Sequence, residues 1–273
     1  MYILSAGYSE QTFGYNIHYQ EGHELIYILS GEVEVSVSGQ EFRAGEGALL
    51  VFSRFEEHSV RVLSAKYHRY TLLVSSEISR GSENYALSSI LVNRSQGFEH
   101  VVDCGRSHEK IRLLFAAMYN ELKQQKPMCS KVADSFLMIL LSEIYRIAPQ
   151  RFLVGENKNS EMVRRIQNRF ERDCSADVTI AELASEFHVS PSQLSHVFKS
   201  ITGYSPIDYL ISCRLSEAKN LLAESDKSIK EIVDLCGFSD ESNFSRTFKS
   251  KTGMTPSEFR KQNLRRSIDK PKK

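Results

Sequence analysis

The spacing of apolar residues changes twice along the chain. Up to about Ser76 it has the period of strands: Val33, Val35 and Val37 alternate with Glu34, Ser36 and Ser38, as on a half-buried strand. Leu25 to Leu29, Ala48 to Phe52 and Tyr70 to Val74 are short apolar runs, separated by Gly22, Gly31, Gly39 and Gly45-Glu46-Gly47. Short strands at this spacing predict a barrel or double-sheet roll. Residues 77–104 are poorly patterned and read as a connection with a late strand around Phe98 to Val102; they carry no functional reading.

From Ser107, placed to cap a helix, the period becomes helical. Ile111, Leu114, Phe115, Met118, Tyr119 and Leu122 recur at three and four, ending near Lys126-Pro127. A second helix is expected from about Ser130 to Ile147. Val132, Phe136, Leu137, Ile139, Leu140, Leu141, Ile144 and Ile147 make it apolar nearly all round, so it is buried on several sides. The pair holds more apolar surface than one small barrel can hide, which favours a dimer over simple coverage of the barrel. Pro149 to Asn159 breaks the pattern and reads as a linker. Ser160 then caps a helix with Met162, Val163, Ile166 and Phe170 inward. Arg164, Arg165, Arg169 and Arg172 lie outward, either solvated or against phosphates.

The remainder is one unit written twice. Leu194 matches Phe244, Ser195 matches Ser245, Phe198 matches Phe248, Lys199 matches Lys249, Thr202-Gly203 matches Thr252-Gly253, and Pro206 matches Pro256, each fifty residues on. Thr179-x-x-Glu182 and Ser228-x-x-Glu231 are capping boxes that start a short helix, to about Phe187 or Cys236. A tight turn follows, His188-Val189-Ser190 or Gly237-Phe238-Ser239, and then a second helix, with Pro191 early in the first copy. Gly203 and Gly253 are left-handed stops. Two helices across such a turn are the helix-turn-helix pattern, whose second helix can enter a major groove. On that helix Leu194, Val197, Phe198 and Ile201 share one side, and Ser192, Ser195, His196 and Lys199 point elsewhere. In the second copy Phe244, Thr247 and Phe248 turn inward, leaving Glu241, Ser242, Ser245, Arg246 and Lys249. Short polar groups beside a long donor suit base edges, and the lysines Lys199 and Lys249 suit phosphates.

Over about Ser160 to Lys261 the chain resembles the AraC/XylS family of transcription regulators, with Gly237-Phe238-Ser239 through Phe259 as the specific signature. The resemblance implies a long helix joining the two units, here from Ser205-Pro206 to about Glu224. It also implies base-facing roles for Ser192, Ser195 and His196 and for Glu241, Ser242, Ser245 and Arg246. A joining helix of this kind holds two recognition helices about 34 Å apart, one turn of B-DNA.

The N-terminal strands are similar to the cupin pattern. Glu24 lies seven residues before Gly31, and His18 falls at the first histidine of the first motif, with Gln20 at the second. Gly47 and His58 keep the second motif, while Ser53 and Phe55 depart from it. His18, Glu24 and His58 are then three of four ligand positions, a donor set that could serve a metal-dependent enzyme tethered to a DNA-binding domain. The other reading makes them interior residues; Gln20 is a poor ligand, which favours this and no metal or other cofactor. His23 would point to the opposite face from Glu24. The resemblance to AraC/XylS regulators implies that such a barrel binds a small effector, with His18, Glu24, Tyr27, Arg43 and His58 as candidate lining; an interior filled by its own side chains is the competitor.

Charge and composition alter this little. The 273 residues suffice for two domains. Net charge is +1, with basic over acidic residues 19 to 16 from Ser160 onward and 16 to 18 before it, so DNA affinity must come from local placement. Cys104, Cys129, Cys174, Cys213 and Cys236 have neither metal nor redox spacing and read as reduced. No apolar run would span a bilayer and no signal segment opens the chain, so the expectation is cytoplasmic. The fold expected is α+β: a barrel over 1–104, a helical pair with probable dimerisation over 105–148, a linker over 149–159, an all-α double helix-turn-helix over 160–263 and a basic tail over 264–273. The function expected is an effector-controlled transcription regulator, an activator rather than an enzyme. Its expected partners are double-stranded DNA, a small-molecule effector, a second copy and RNA polymerase, with no membrane.

Overall fold

The apolar runs near the N-terminus become antiparallel strands of two sheets in the computed structural model, which describes residues 1–11, 15–18, 22–37, 39–56, 58–79, 82–94, 99–152 and 158–261. Strands β1 (Ile3–Gln11), β3 (His23–Ser30), β6 (Ala48–Phe52), β8 (Tyr67–Val74) and β9 (Val101–Asp103) form one sheet in the order β1-β8-β3-β6-β9. Strands β2 (Tyr15–His18), β4 (Val33–Val37), β5 (Gln40–Ala44) and β7 (His58–Val62) form the other, in the order β2-β7-β4-β5.

Alternation along each strand sorts side chains between two cores. Ile26 and Ile28 of β3 and Leu50 and Phe52 of β6 meet Val33, Val35, Val37 and Val60 between the sheets. Their neighbours Leu25, Tyr27, Leu49 and Val51 face the other way, into a core shared with two helices, α2 (His108–Gln124) and α3 (Cys129–Ile147). The five-stranded sheet is therefore covered on both faces, which is why β3 and β6 read as continuous apolar runs. The four-stranded sheet keeps its clean alternation, with Glu34 and Ser36 of β4 half-buried between fully buried valines.

Several local expectations need correction. Residues 82–92 are a helix, α1 (Ser82–Val92), whose Ile90 and Leu91 join the helix-side core. Its apolar residues fall in two runs, Tyr85 to Leu87 and Ile90 to Val92, without amphipathic spacing, so periodicity was blind to it. The late strand is Val101–Asp103, and Phe98 lies outside the described residues. Ser107 makes no side-chain cap: it ends a 3-10 turn, Gly105–Ser107, that already leads into α2. Ser160 is not a cap either, because α4 (Lys158–Arg172) begins before it and buries it. On α3 Leu137, Leu140, Leu141 and Ile144 are buried, but Val132, Ile139 and Tyr145 stay exposed, as does Leu113 of α2.

The chain divides into two compact units, Met1–Ser160 and Glu161–Lys273. In the second, α5 (Ile180–Glu186) and α6 (Pro191–Thr202) form the first helix pair, and α8 (Ile229–Leu235) and α9 (Glu241–Thr252) the second. Between them runs α7 (Pro206–Glu224), capped by Ser205, whose side chain accepts from the Asp208 amide. Both capping boxes are complete, with Thr179 and Ser228 each exchanging bonds with the glutamate three residues on. Pro191 sits in the first turn of α6, and Gly203 and Gly253 stop α6 and α9 at φ 80° and 77°. Towards its start α7 presents Tyr209 to Phe198 of α6, with ring centroids 5.6 Å apart. Further on, Leu215, Ala218 and Leu222 pack with Ile232, Val233, Phe244 and Phe248 of the second pair. Deleting either phenylalanine side chain would cost about 3–5 kcal/mol. The tail from residue 262 lies outside the described residues.

Candidate functional site

The two outward helices of the second unit are set up alike. Ser190 Oγ accepts from the Gln193 amide at 3.1 Å, and Asp240 Oδ1 from the Asn243 amide at 2.7 Å. Along 191–200 and 241–250 the order of buried, half-buried and exposed positions is the same, residue for residue. Leu194 and Phe198, like Phe244 and Phe248, are fully buried. That anchoring turns Ser192, His196 and Lys199 out to solvent, with Ser195 half-buried beside them. On α9 it turns out Glu241, Ser242, Arg246 and Lys249, with Ser245 half-buried. Side chains held this way, on a rigid helix and facing water, can approach a groove without unfolding anything.

Neighbouring arginines are committed elsewhere. Arg164 pairs with Glu161, and Arg165 and Arg169 both reach Glu186 of α5. Arg165 also lies over the Phe187 ring at 4.9 Å. These α4 residues tie the first helix pair to the helix before it.

In the first unit a buried polar cluster occupies one end of the space between the sheets. His58 Nε2 lies 3.0 Å from Glu24 Oε2, and its Nδ1 lies 3.0 Å from the Glu56 carbonyl oxygen. A carbonyl only accepts, so Nδ1 donates, and one proton is shared between Nε2 and Glu24. Phe52 stacks on the His58 ring with centroids 3.7 Å apart. The Glu56 side chain accepts from the Ser53 amide, from the Arg94 guanidinium and from His100 Nε2 at 2.9 Å. Burial alone would push its carboxyl up, but Arg94 and His100 outweigh that and hold it well below the usual carboxylate range. Behind this cluster His23 is buried, and burial, with Arg94 and Arg54 nearby, lowers its pKa to about 3. Its neutral ring accepts from the Arg54 amide at 3.0 Å. Among the described residues no group of three His, Cys, Asp or Glu side chains could hold a metal ion.

The sequence matches the Helix-turn-helix domain family over 183–262 and the Cupin domain family over 8–74. The two in tandem are the arrangement found in regulators of the AraC/XylS family, which the chain resembles. A probable transcriptional regulator, LumQ of Photobacterium leiognathi, is 32% identical over 157 residues, 56% of this chain and 59% of that protein. The chain thus spans little more than half the length of that relative. The arabinose operon regulatory protein of Salmonella typhimurium is 25% identical over 247 residues, covering 88% of this chain and 84% of that one. Among solved structures, ToxT from Vibrio cholerae bound to (E)-4-(8-methylnaphthalen-1-yl)but-3-enoic acid aligns with a TM-score of 0.63 at 17% identity. That alignment covers 96% of this chain and all of ToxT, a likeness of fold. No helix among the described residues is long and apolar enough to cross a membrane.

Two barrel candidates lie elsewhere than expected. Tyr27 is an odd number of residues from Glu24, so it faces the helices: its ring stacks on Phe115 and its hydroxyl donates to the His108 carbonyl at 2.9 Å. Arg43 is exposed, because Ala44 on the same strand is the residue turned inward and its neighbour must face out. The β2–β7 register sets His18 opposite His58, and nothing is described of the His18 side chain. Glu24 and His58 are brought together, and His23 faces away from them as its neighbouring position dictates. Glu56, Arg94 and His100 were missed. Glu56 is two residues from His58 and beside a second acid, a weak signal; Arg94 and His100 fall in the unpatterned stretch. Gln193 and its counterpart Asn243 are both exposed, and Asn243 is bonded to Ser239 and Thr247, each at 3.4 Å.

Proposed function

We propose that the chain is a sequence-specific transcription regulator that reads duplex DNA through α6 and α9 and is controlled by a small molecule taken up by its barrel. The observation that supports this is the matched exposure of the two helices, along which Ser192 and His196, then Glu241, Ser242 and Arg246, face solvent with Ser195 and Ser245 half-buried beside them. Arg246 offers a two-pronged donor for guanine, Glu241 an acceptor for the cytosine amino group, and Lys199 and Lys249 serve phosphates. Because the two faces differ, one chain reads a site that is not a palindrome. A dimer formed through the exposed Leu113, Val132, Ile139 and Tyr145 would read two such sites.

For the effector, the support is the apolar layer between the sheets and the buried Glu24–His58 pair that adjoins it. This fits a molecule with an apolar body and one hydrogen-bonding head, the kind of molecule with which ToxT was solved. A ligand acts only if it favours one conformation over another. The test is selection of bound duplexes from a random pool, repeated with candidate ligands present. Enrichment of one two-part sequence whose affinity a ligand alters supports the proposal; no enriched sequence removes the DNA-reading role, and no ligand effect at saturation removes the effector role.

A further inference from the structure

The two helix-turn-helix units differ at one backbone position in a way that exposes a joint between them. The turn of the first unit carries His188 at φ 55°, and the turn of the second carries Gly237 at φ 73°. A left-handed residue there does not itself demand glycine, since His188 is accommodated with its side chain exposed. What demands glycine in the second unit is contact. A Cβ on Gly237 would meet the Ser175 carbonyl oxygen at 2.5 Å and the Ser175 Cα at 2.8 Å, and backbone cannot swing aside as a long side chain would.

Ser175 belongs to the segment that leads from α4 into the capping box of the first unit. The segment is held on its other side by Arg214 of α7, whose Nε donates to the Cys174 carbonyl at 2.8 Å and whose Nη2 donates to the Ala176 carbonyl at 3.1 Å. Asp173 fixes the bend within it, accepting from the Ser175 hydroxyl at 2.7 Å and the Ser175 amide at 3.2 Å. One short stretch of chain therefore starts the first unit, is pinned to the connecting helix, and abuts the turn of the second. Apart from this stretch, the link described between the two units is α7, and a helix by itself leaves each end free to rock.

We propose that residues 173–177 are a strut between the two units, and that Arg214 and Gly237 are positioning residues that set the spacing of the two subsites the chain reads. The strut rests on the DNA-reading proposal, and its test separates the two. If the unaltered chain enriches no two-part duplex from a random pool, both proposals fall. With such a duplex in hand, the unaltered chain, Arg214→Gln and Gly237→Ala are compared at the selected spacing, with one or two base pairs inserted, and on a single subsite. The unaltered chain should lose about tenfold in affinity on insertion, because two linked modules gain from each other only when geometry lets both engage. Each variant should bind the selected spacing about tenfold more weakly and discriminate against insertions by no more than about threefold, with single-subsite affinity unchanged. A folded variant, with unaltered helical circular dichroism, that keeps the full penalty for insertion overturns the strut while leaving DNA reading intact. Should Arg214→Gln fail to fold, Arg214→Lys, which keeps one donor, is read by the same criterion. A role in stability alone would lower the unfolding midpoint without moving the spacing ratio.

Discussion

The two units treat their polar side chains in opposite ways. In Met1–Ser160, Glu24, His58, Glu56, Arg94 and His100 turn inward and are joined by hydrogen bonds to one another. In Glu161–Lys273, Ser192, His196, Ser242, Arg246 and Lys249 turn outward along two equivalently anchored helices. A polar group that has partners inside the chain stabilises the chain and discriminates against its own removal. A polar group left in water adds little to stability and keeps its donors for something else. Mutation should therefore affect stability in the first unit and recognition in the second.

The largest effect is expected at Glu56. Replacing it by alanine leaves Arg94 buried without the carboxylate that now faces its guanidinium, and removes an acceptor from His100 and the Ser53 amide. Breaking a buried pair from one side costs about 3–5 kcal/mol, most of it from the uncompensated buried charge left behind. Urea unfolding followed on the purified chain should show that loss in Met1–Ser160. A cost below about 1 kcal/mol would mean the cluster is far wetter than its geometry implies.

Arg246→Ala should invert that outcome. The side chain is exposed, so unfolding should be unchanged within about 0.5 kcal/mol. Binding to the selected duplex should weaken by about 1–3 kcal/mol, with preference lost at one base pair. Equal weakening on every sequence would take Arg246 out of base readout and blur the contrast between the units.

How much of this was legible in the sequence follows from the same contrast. The second unit is ruled by local signals: Thr179 with Glu182, Ser228 with Glu231, Pro191, Gly203 and Gly253 each act within a turn or two of themselves. Duplication then let one copy check the other. The barrel depends on pairs far apart in the chain, and there the sequence was a poorer guide. Glu24 and His58 were picked out through a motif, but Arg94 and His100 meet Glu56 only because β9 and the end of α1 fold back to it. Tyr27 and Arg43 were misplaced although parity along their strands would have placed them: Tyr27 is three positions from Glu24, and Arg43 adjoins the inward Ala44. The helix at Ser82–Val92 was missed because its apolar residues form two short runs rather than a stripe.

A third difference lies in pH. The His23 pKa is lowered to about 3, so the folded first unit cannot take up the proton that the unfolded chain binds with an ordinary histidine pKa near 6.5. Stability should be intact above about 6.5 and fall by about 1.4 kcal/mol per pH unit below it, until the folded value is reached. Glu56, held low, has its stabilisation fully present above the ordinary carboxylate range and loses it only at more acid pH, so the interval from 6.5 to 5 isolates His23. Urea midpoints at pH 7.5 and 5.5 should differ for the unaltered chain. They should differ less for His23→Gln, which keeps an acceptor for the Arg54 amide. An undiminished slope in that variant would assign the proton elsewhere.

The smallest effect is at Lys249, and it divides the outward side chains among themselves. Arg246 and Lys249 are three residues apart on one helix, both cationic and both exposed, so exposure cannot tell a base reader from a phosphate contact. Salt can. A lysine that neutralises one phosphate releases about one counterion, so Lys249→Ala should lower the slope of log affinity against log salt by about 0.9 and weaken all duplexes alike. Its counterpart Lys199 should do the same, because the repeat puts it at the same exposed position one unit earlier. Arg246→Ala, by contrast, should alter the ranking of sequences at every salt concentration. If Lys249→Ala instead reorders the preferred sequences, the partition drawn from helix position is wrong, and the lysine reaches further into the groove than a phosphate contact requires.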